Sequence, residues 1–169
     1  MKKIFNLEQE YDFEAYREYN YTIQNRIRKF KLRRYVTLGA YCFFGVLIML
    51  MKNSASLTVR MCIGIGAVLV GVLMYFRMGY KLAVETKKSW DTSAGPEGKL
   101  SVTLDFYEDC FKMRSSKGTV SCDYKKIFKA FDTEKYYYLM IQTNYGAIIE
   151  KSRCSEELLE FLKNKISFE

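Results

Sequence analysis

Residues 35–51 read YVTLGAYCFFGVLIMLM, and residues 61–76 read MCIGIGAVLVGVLMYF. Neither run contains a charged side chain, and neither has the polar stripe that a helix in a soluble protein shows to water. The first run meets the minimum of about 17 residues for crossing a bilayer, and the second meets it by beginning near Leu57. The sequence therefore predicts two spanning helices, over about 35–52 and 57–76.

The link between the two runs is short. Only about nine residues, 52–60, separate them, which forces the two helices to be antiparallel neighbours. Arg60 lies within one turn of the outer interface, where its stem can extend and leave the charge among the headgroups. A cleaved signal peptide fits poorly, because thirty-four residues, many of them charged, precede the first run. We expect a transmembrane hairpin over residues 35–76.

Basic residues are concentrated beside the hairpin and account for the net charge of +8. Only Lys52 and Arg60 lie in the connecting loop, so the positive-inside rule puts both termini in the cytoplasm. This distribution indicates attraction to lipid headgroups and not a nucleic-acid surface. The candidates for headgroup contact are Arg26, Arg28, Lys29, Lys31, Arg33, Arg34, Arg77 and Lys81.

Small residues in the second run offer a flat helix face. Ala67 and Gly71 are four positions apart and therefore lie on one side of the helix. We expect that face to pack within the hairpin, and a homodimer through the same face is the alternative. No acidic or amide side chain occurs inside either run, which argues against a transporter.

Residues 1–34 combine a short β-prone segment with an amphipathic helix. Residues 3–8 favour a strand, and Asp12 is placed to cap the helix that follows. We expect this helix to continue into the first span. Its apolar stripe suits either the membrane surface or docking on the C-terminal domain. The stripe consists of Tyr16, Tyr19, Ile23, Ile27 and Phe30.

Residues 77–169 predict a cytoplasmic domain rich in β-structure. After a loop over 88–98, which holds the only proline, apolar residues alternate from Leu100 to Phe106 and point Asp105 outward. With Glu108 and Asp109, Asp105 fits a solvated turn region. Further strands are predicted over 110–114, 119–124, 127–132, 136–142 and 147–150. A closing helix follows Cys154 or Ser155, with an apolar stripe of Leu158, Phe161, Leu162 and Ile166.

This order of elements predicts the fold class. An antiparallel sheet followed by one amphipathic helix is typical of a pleckstrin-homology-like (PH-like) domain, in which the helix closes one end of a bent sheet or partial barrel. The chain as a whole is then a membrane α-helical hairpin plus an α+β cytoplasmic domain.

The residue types argue against catalysis. The chain has no histidine and hence no imidazole base, and no glycine-rich phosphate loop precedes a helix. Its five cysteines are scattered without a C-x-x-C pair, which indicates neither a metal site nor a disulfide framework and fits a reducing compartment. We predict no cofactor and no enzymatic activity.

One stretch resembles a known family. Residues 124–133, YKKIFKAFDT, followed by 136–139, YYYL, are similar to the YcxB-like family of bacterial membrane proteins. The resemblance covers nearly the whole chain in layout, although residues 148–151, IIEK, lack the proline common in the family at that step. It implies a location in the bacterial cell membrane and this architecture, but no particular activity.

Two functions remain open. In the first, exposed sheet edges and tyrosines of the domain hold a protein partner at the membrane. In the second, the domain senses anionic lipid headgroups, with Lys112, Arg114 and Lys117 as a basic rim. An enzyme of unknown type is a third and weaker hypothesis. The tyrosines suggested for the partner surface are Tyr107, Tyr136, Tyr138 and Tyr145.

Overall fold

A computed structural model describes residues 2–51, 56–95, 98–116 and 118–169. Lys52, Pro96 and Lys117, which enter the predictions above, lie outside the described residues. The chain divides into two compact units. One consists of residues 24–88, here called the hairpin unit. The other joins the segment that ends at Ile23 to Ser89–Glu169, and it is here called the terminal domain.

Two long helices dominate the hairpin unit. Helix α2 spans Phe30–Leu50, and helix α3 spans Leu57–Asp91, of which the part up to Lys88 belongs to this unit. Both are long and apolar enough to cross a membrane. Only 6% and 11% of their most apolar stretches are buried, whereas a core helix of a soluble protein would be mostly covered. These faces therefore need an apolar environment.

Glycines bring α2 and α3 together. A Cβ atom placed on Gly45 would lie 2.8 Å from the carbonyl oxygen of Gly64, so the two backbones meet at this point. A Cβ atom on Gly71 would lie 2.6 Å from the Cβ of Tyr41. The small-residue face that includes Gly71 is thus used for packing within the hairpin.

The N-terminal segment contributes strand β1, Phe5–Tyr11, and helix α1, Phe13–Arg26. Asp12 caps α1 by accepting a 2.8 Å hydrogen bond from the backbone N–H of Ala15. The prediction that this helix continues into the first span is wrong. Helix α1 ends at Arg26, and α2 begins at Phe30 after Lys29, whose φ of 50° is left-handed and breaks the helical path.

The terminal domain contains two antiparallel sheets. The first has the order β1-β2-β3-β4, with β2 at Leu100–Phe106, β3 at Cys110–Ser115 and β4 at Gly118–Asp123. The second has the order β5-β6-β7, with strands Lys129–Asp132, Tyr136–Gln142 and Tyr145–Glu150. The predicted strands of the C-terminal region are confirmed, and the described strands do not close into a barrel.

The N-terminal strand completes the first sheet. Strand β1 pairs with β2 along its whole length, with Phe5 opposite Phe106 and Tyr11 opposite Leu100. Helix α1 also packs on this domain, since the rings of Tyr19 and Tyr138 lie 5.5 Å apart. The sequence left two surfaces open for the apolar stripe of α1, the membrane surface and the C-terminal domain. Tyr19, one residue of that stripe, packs on the domain.

Helix α4, Glu156–Lys165, follows the last strand, as predicted. Ser155 caps it by accepting a hydrogen bond from the N–H of Leu158, and Leu158 and Leu162 are buried. The ring of Phe161 lies 5.4 Å from Phe5 and 6.0 Å from Tyr124. The helix thus contacts both the N-terminal strand and the C-terminal part of the domain.

The two sheets are joined by one buried amide. The Gln9 side chain on β1 donates a 3.1 Å hydrogen bond to the carbonyl of Ile148 and accepts a 2.8 Å bond from the N–H of Glu150 on β7. The hydroxyl of Tyr11 donates to the same Ile148 carbonyl. The Gln9 amide thus bonds one carbonyl and one N–H of β7, on residues two positions apart. A neighbouring strand would bond the edge of β7 in the same pattern.

The region predicted as a loop over 88–98 begins as helix. Helix α3 continues to Asp91, and the ring of Trp90 is buried against Phe13 at 6.0 Å and Tyr16 at 5.3 Å. The only tryptophan of the chain therefore anchors the end of α3 in the terminal domain. Burial of this large ring outweighs the local loop-forming composition.

Candidate functional site

The outer face of the first sheet carries most of its polar side chains. One row across the strands contains Asn6, Asp105, Lys112 and Ser121, and the next contains Glu8, Thr103, Arg114 and Thr119. In these two rows the acidic residues lie on β1 (Glu8) and β2 (Asp105), the basic residues lie on β3, and uncharged residues lie on β4. This face is chemically graded from one edge of the sheet to the other.

Asp105 is the buried member of this face. Its carboxylate accepts a 2.8 Å hydrogen bond from Asn6 and forms ion pairs with Lys3, at 3.2 Å, and with Arg114. The side chain is only 1% exposed, and its partners come from the segment before β1 (Lys3), from β1 (Asn6) and from β3 (Arg114). The prediction of a solvated Asp105 is therefore wrong, although it lies on the face opposite the core as expected.

The carboxyl of Asp105 has a shifted pKa. Burial alone would raise this pKa, but hydrogen bonds from Asn6, Arg114 and Lys3 outweigh burial and lower it below its usual range. Folding therefore favours the ionised form. The corresponding stability is present above the unfolded pKa of about 3.9 and is lost as the pH falls through the lower folded pKa.

Acid unfolding tests this assignment. We expect Asp105→Asn to be less stable than the wild type near neutral pH and to lose less further stability below about pH 4, because the titrating group is gone. Trp90 fluorescence of the full chain in lipid nanodiscs reports the unfolding. Glu8→Gln, on the exposed part of the same face, should follow the wild-type curve. An unchanged acid profile in Asp105→Asn would contradict the assignment.

Two of the four sheet edges in the described part of the chain are bonded by other segments. The β7 edge is bonded by Gln9 of β1, which brings the edges of these two strands together. The β5 edge is paired with the C-terminal segment, since the N–H of Glu169 donates to the carbonyl of Ala130 at 2.8 Å. Lys129 adds a 2.7 Å ion pair to Glu169. These contacts occupy the edges of β5 and β7, and on β1 the charged side chains of Glu8 and Glu10 disfavour an added strand.

The outer edge of β4 is different. Among the described residues, no backbone hydrogen bond reaches β4 from any strand other than β3. Its sequence, GTVSCD, contains neither lysine nor proline, the residues that usually protect an edge. Ser115 pairs with Gly118 at the end of the hairpin. Along an antiparallel strand, backbone groups point alternately toward and away from the partner strand, so those of Thr119 and Ser121 point away from β3. Strand β4 is therefore a competent acceptor for an added strand.

The predicted partner tyrosines are scattered. Tyr138 is fully buried and cannot serve a surface, and Tyr136 stacks on it at 5.8 Å in a half-buried position. Tyr145 is exposed at the first position of β7. Tyr107 is half-buried, with the Lys112 ammonium 5.2 Å from its ring. These four residues do not form one contiguous patch.

The predicted headgroup residues divide into two groups. Arg34 is used inside the hairpin unit: its guanidinium lies 3.8 Å from the ring centre of Tyr75, and its Nε donates a 3.2 Å bond to the Tyr75 carbonyl. Gly79 provides the space, because a Cβ there would lie 3.0 Å from Arg34. The other seven side chains are exposed, namely Arg26, Arg28, Lys29, Lys31, Arg33, Arg77 and Lys81.

The C-terminal part of the terminal domain can be compared with known proteins. Residues 106–166 match the model of the YcxB-like protein family. The matched region thus begins at the last residue of β2 and includes strands β3 to β7 and all of helix α4. The resemblance to the YcxB-like family is confirmed over this stretch. No curated protein and no solved structure matches the chain.

Sequence reasoning missed two parts of this site. The Gln9 bridge has no local signal, since a glutamine in an alternating strand is ordinarily solvated. The uncharged run 118–122 is a weak sequence indication of an open edge at β4. The structure is needed to distinguish this edge, because it shows that the edges of β5 and β7 are bonded by distant segments.

Proposed function

We propose that this chain is a non-enzymatic, membrane-anchored docking protein of the bacterial cell membrane. Its two helices cross the membrane, both termini lie in the cytoplasm, and the terminal domain is a PH-like fold closed by α4. The outer edge of β4 receives an extended segment of a protein partner by strand addition. The observation that carries the proposal is the outer edge of β4, which is uncharged over residues 118–122 and receives no backbone hydrogen bond from a described strand other than β3.

The fold supports a hairpin with both ends on one side. Because β1 pairs with β2, residues before and after the helices belong to the same domain. An even number of crossings is the arrangement compatible with that pairing. The exposed basic residues that flank the helices favour the cytoplasmic side for this domain.

The seven strands support the PH-like assignment. Four antiparallel strands in one sheet, three in the other and a final amphipathic helix follow the element order of such domains. In this chain the first strand is contributed from before the hairpin, and the remaining six follow it.

The charge distribution favours a protein partner over anionic headgroups. The hairpin unit carries twelve basic side chains and one acidic, whereas the terminal domain carries fifteen basic and eighteen acidic. The domain is therefore net negative by three charges, and long-range attraction to an anionic membrane is directed at the hairpin unit. The basic rim is also partly neutralised, because Arg114 pairs with Asp105.

The proposal allows a homodimer only through a contact other than the face of Ala67 and Gly71. Gly71 is occupied by Tyr41 of the same hairpin, so a dimer through the Ala67 and Gly71 face would have to displace that packing. The lipid contacts proposed for the seven exposed basic residues are independent of this question.

Site-specific photo-cross-linking in native membranes tests the docking edge. With a photoreactive residue at Thr119, we expect a cross-link to another protein, because an added strand would lie about 5 Å from β4. Ser121→Pro should abolish it, since proline removes an outward N–H while sparing the bonds to β3. Glu134, exposed on the turn between β5 and β6, provides the control position for the photoreactive residue.

Three outcomes would contradict the proposal. Cross-links to lipid alone would favour headgroup sensing, and cross-links confined to a second copy of the chain would make β4 a dimer contact. Equal cross-linking from Glu134 would show that β4 is not selective. Unchanged Trp90 fluorescence in Ser121→Pro confirms that the loss of a cross-link does not come from unfolding.

A further inference from the structure

The terminal domain contains a cavity that the docking edge does not use. Its volume is about 250 Å³, and it lies among β1, β2, β3, α1, the end of α3 and the turn between β6 and β7. At ~30 Å³ for each water-sized group, that space accommodates about eight such groups. This is the size of one substituted aromatic ring.

The lining of the cavity is aromatic and uncharged. Tyrosines surround it, and aliphatic side chains such as Leu100 and Val102 form its floor. Ser89 and Asn144 add hydrogen-bonding groups, and none of the described residues that line the cavity carries a charged side chain. Mostly apolar walls with a few polar groups are the ordinary chemistry of small-molecule sites. The four tyrosines are Tyr11, Tyr16, Tyr19 and Tyr145.

The hydroxyl of Tyr19 lacks a strong partner. The hydrogen bond found for it in the described residues runs to the thioether sulfur of Met140 at 3.6 Å, and a thioether is a weak acceptor. By contrast, Tyr11 donates to the Ile148 carbonyl, and the Tyr16 hydroxyl lies 2.7 Å from that of Ser89. Tyr19 is thus a buried residue of the cavity wall whose one O–H donates only to a weak acceptor.

We propose that this cavity binds a small neutral molecule with an aromatic ring and a hydrogen-bond acceptor, which Tyr19 recognises. The ring packs among the tyrosines and aliphatic residues, and the acceptor replaces the thioether as partner of the Tyr19 hydroxyl. Burial raises the pKa of Tyr19 and of Tyr145, so both phenols stay protonated at neutral pH. A charged ligand would lose its hydration without gaining an opposite charge.

Benzamide is the probe, with benzoate and benzylammonium as anionic and cationic analogues of nearly equal size. In ligand-detected NMR titrations of the full chain in lipid nanodiscs, empty nanodiscs account for partitioning into lipid. We expect benzamide to bind with a Kd in the millimolar range or tighter, and both charged analogues to bind at least about tenfold more weakly. No benzamide binding, or tighter binding of either charged analogue, would overturn the proposal.

Tyr19→Phe separates recognition from folding. Because the hydroxyl has only a thioether partner, we expect an unchanged unfolding midpoint but about tenfold weaker benzamide binding. Tyr145→Ala, at the exposed rim, should weaken binding comparably, whereas Tyr107→Ala, away from the cavity, should leave it unchanged. Equal affinity in Tyr19→Phe, Tyr145→Ala and the wild type would also overturn the proposal.

Discussion

Replacing Leu104 by aspartate should unfold the terminal domain. Leu104 has no exposed surface, and its register partners on the core side of the sheet are Leu7 and Met113. A carboxylate at this position would be buried without a partner, at an expected cost of more than about 4 kcal/mol. Leu162→Asp, in the buried face of α4, should have an effect of the same size.

The control is the same kind of substitution on the other face. Thr119→Asp places a carboxylate on exposed β4, directly opposite Arg114, and should change the free energy of unfolding by less than about 0.5 kcal/mol. Urea titration of the full chain in nanodiscs, followed by Trp90 fluorescence, measures each effect. Similar losses in Leu104→Asp and Thr119→Asp would mean that the register of β2 is wrong.

Loss of the Gln9 amide should be the next most damaging change. Gln9→Leu keeps the approximate size of the side chain but leaves the Glu150 N–H without its bond and the Ile148 carbonyl with only Tyr11. We expect a loss of about 2–4 kcal/mol, since an unpaired buried polar group costs more than a hydrogen bond contributes. Hydrogen exchange at the Glu150 amide should accelerate in parallel.

Glu8→Leu is the matched control, because it makes a similar change one residue away on the exposed face. Its free energy of unfolding should stay within about 0.5 kcal/mol of the wild type. If Gln9→Leu were as stable as Glu8→Leu, apolar packing and the Tyr11 hydrogen bond would be enough to hold the two sheets together. The Gln9 bridge would then have no energetic role.

The sequence predicted what depends on local periodicity. The alternation from Leu100 to Phe106 located β2, and Ser155 with the two following glutamates located the start of α4. Two uncharged runs located the candidate membrane helices. In each case the hydrophobic pattern and the local capping residues point to the same element, so the prediction needs no long-range information.

Features that depend on distant residues were not predictable in the same way. The burial of Asp105 depends on Lys3 and Arg114, which arrive from neighbouring strands. Trp90 was assigned to a loop because its burial against Phe13 involves a segment 77 positions earlier. The covered edges, and therefore the candidate docking edge at β4, likewise emerge only from the pairing of distant segments.

The pairing of β1 with β2 also determines when the terminal domain can be completed during translation. Phe5 meets Phe106 across the sheet, so the first strand must wait for about 100 further residues before its neighbour exists. At ~5–20 residues per second, that interval is roughly 5–20 s. The entire hairpin is translated within it. Completion of the domain therefore follows synthesis of both helices, and a ribosome that stalls before residue 100 leaves β1 with no strand to join.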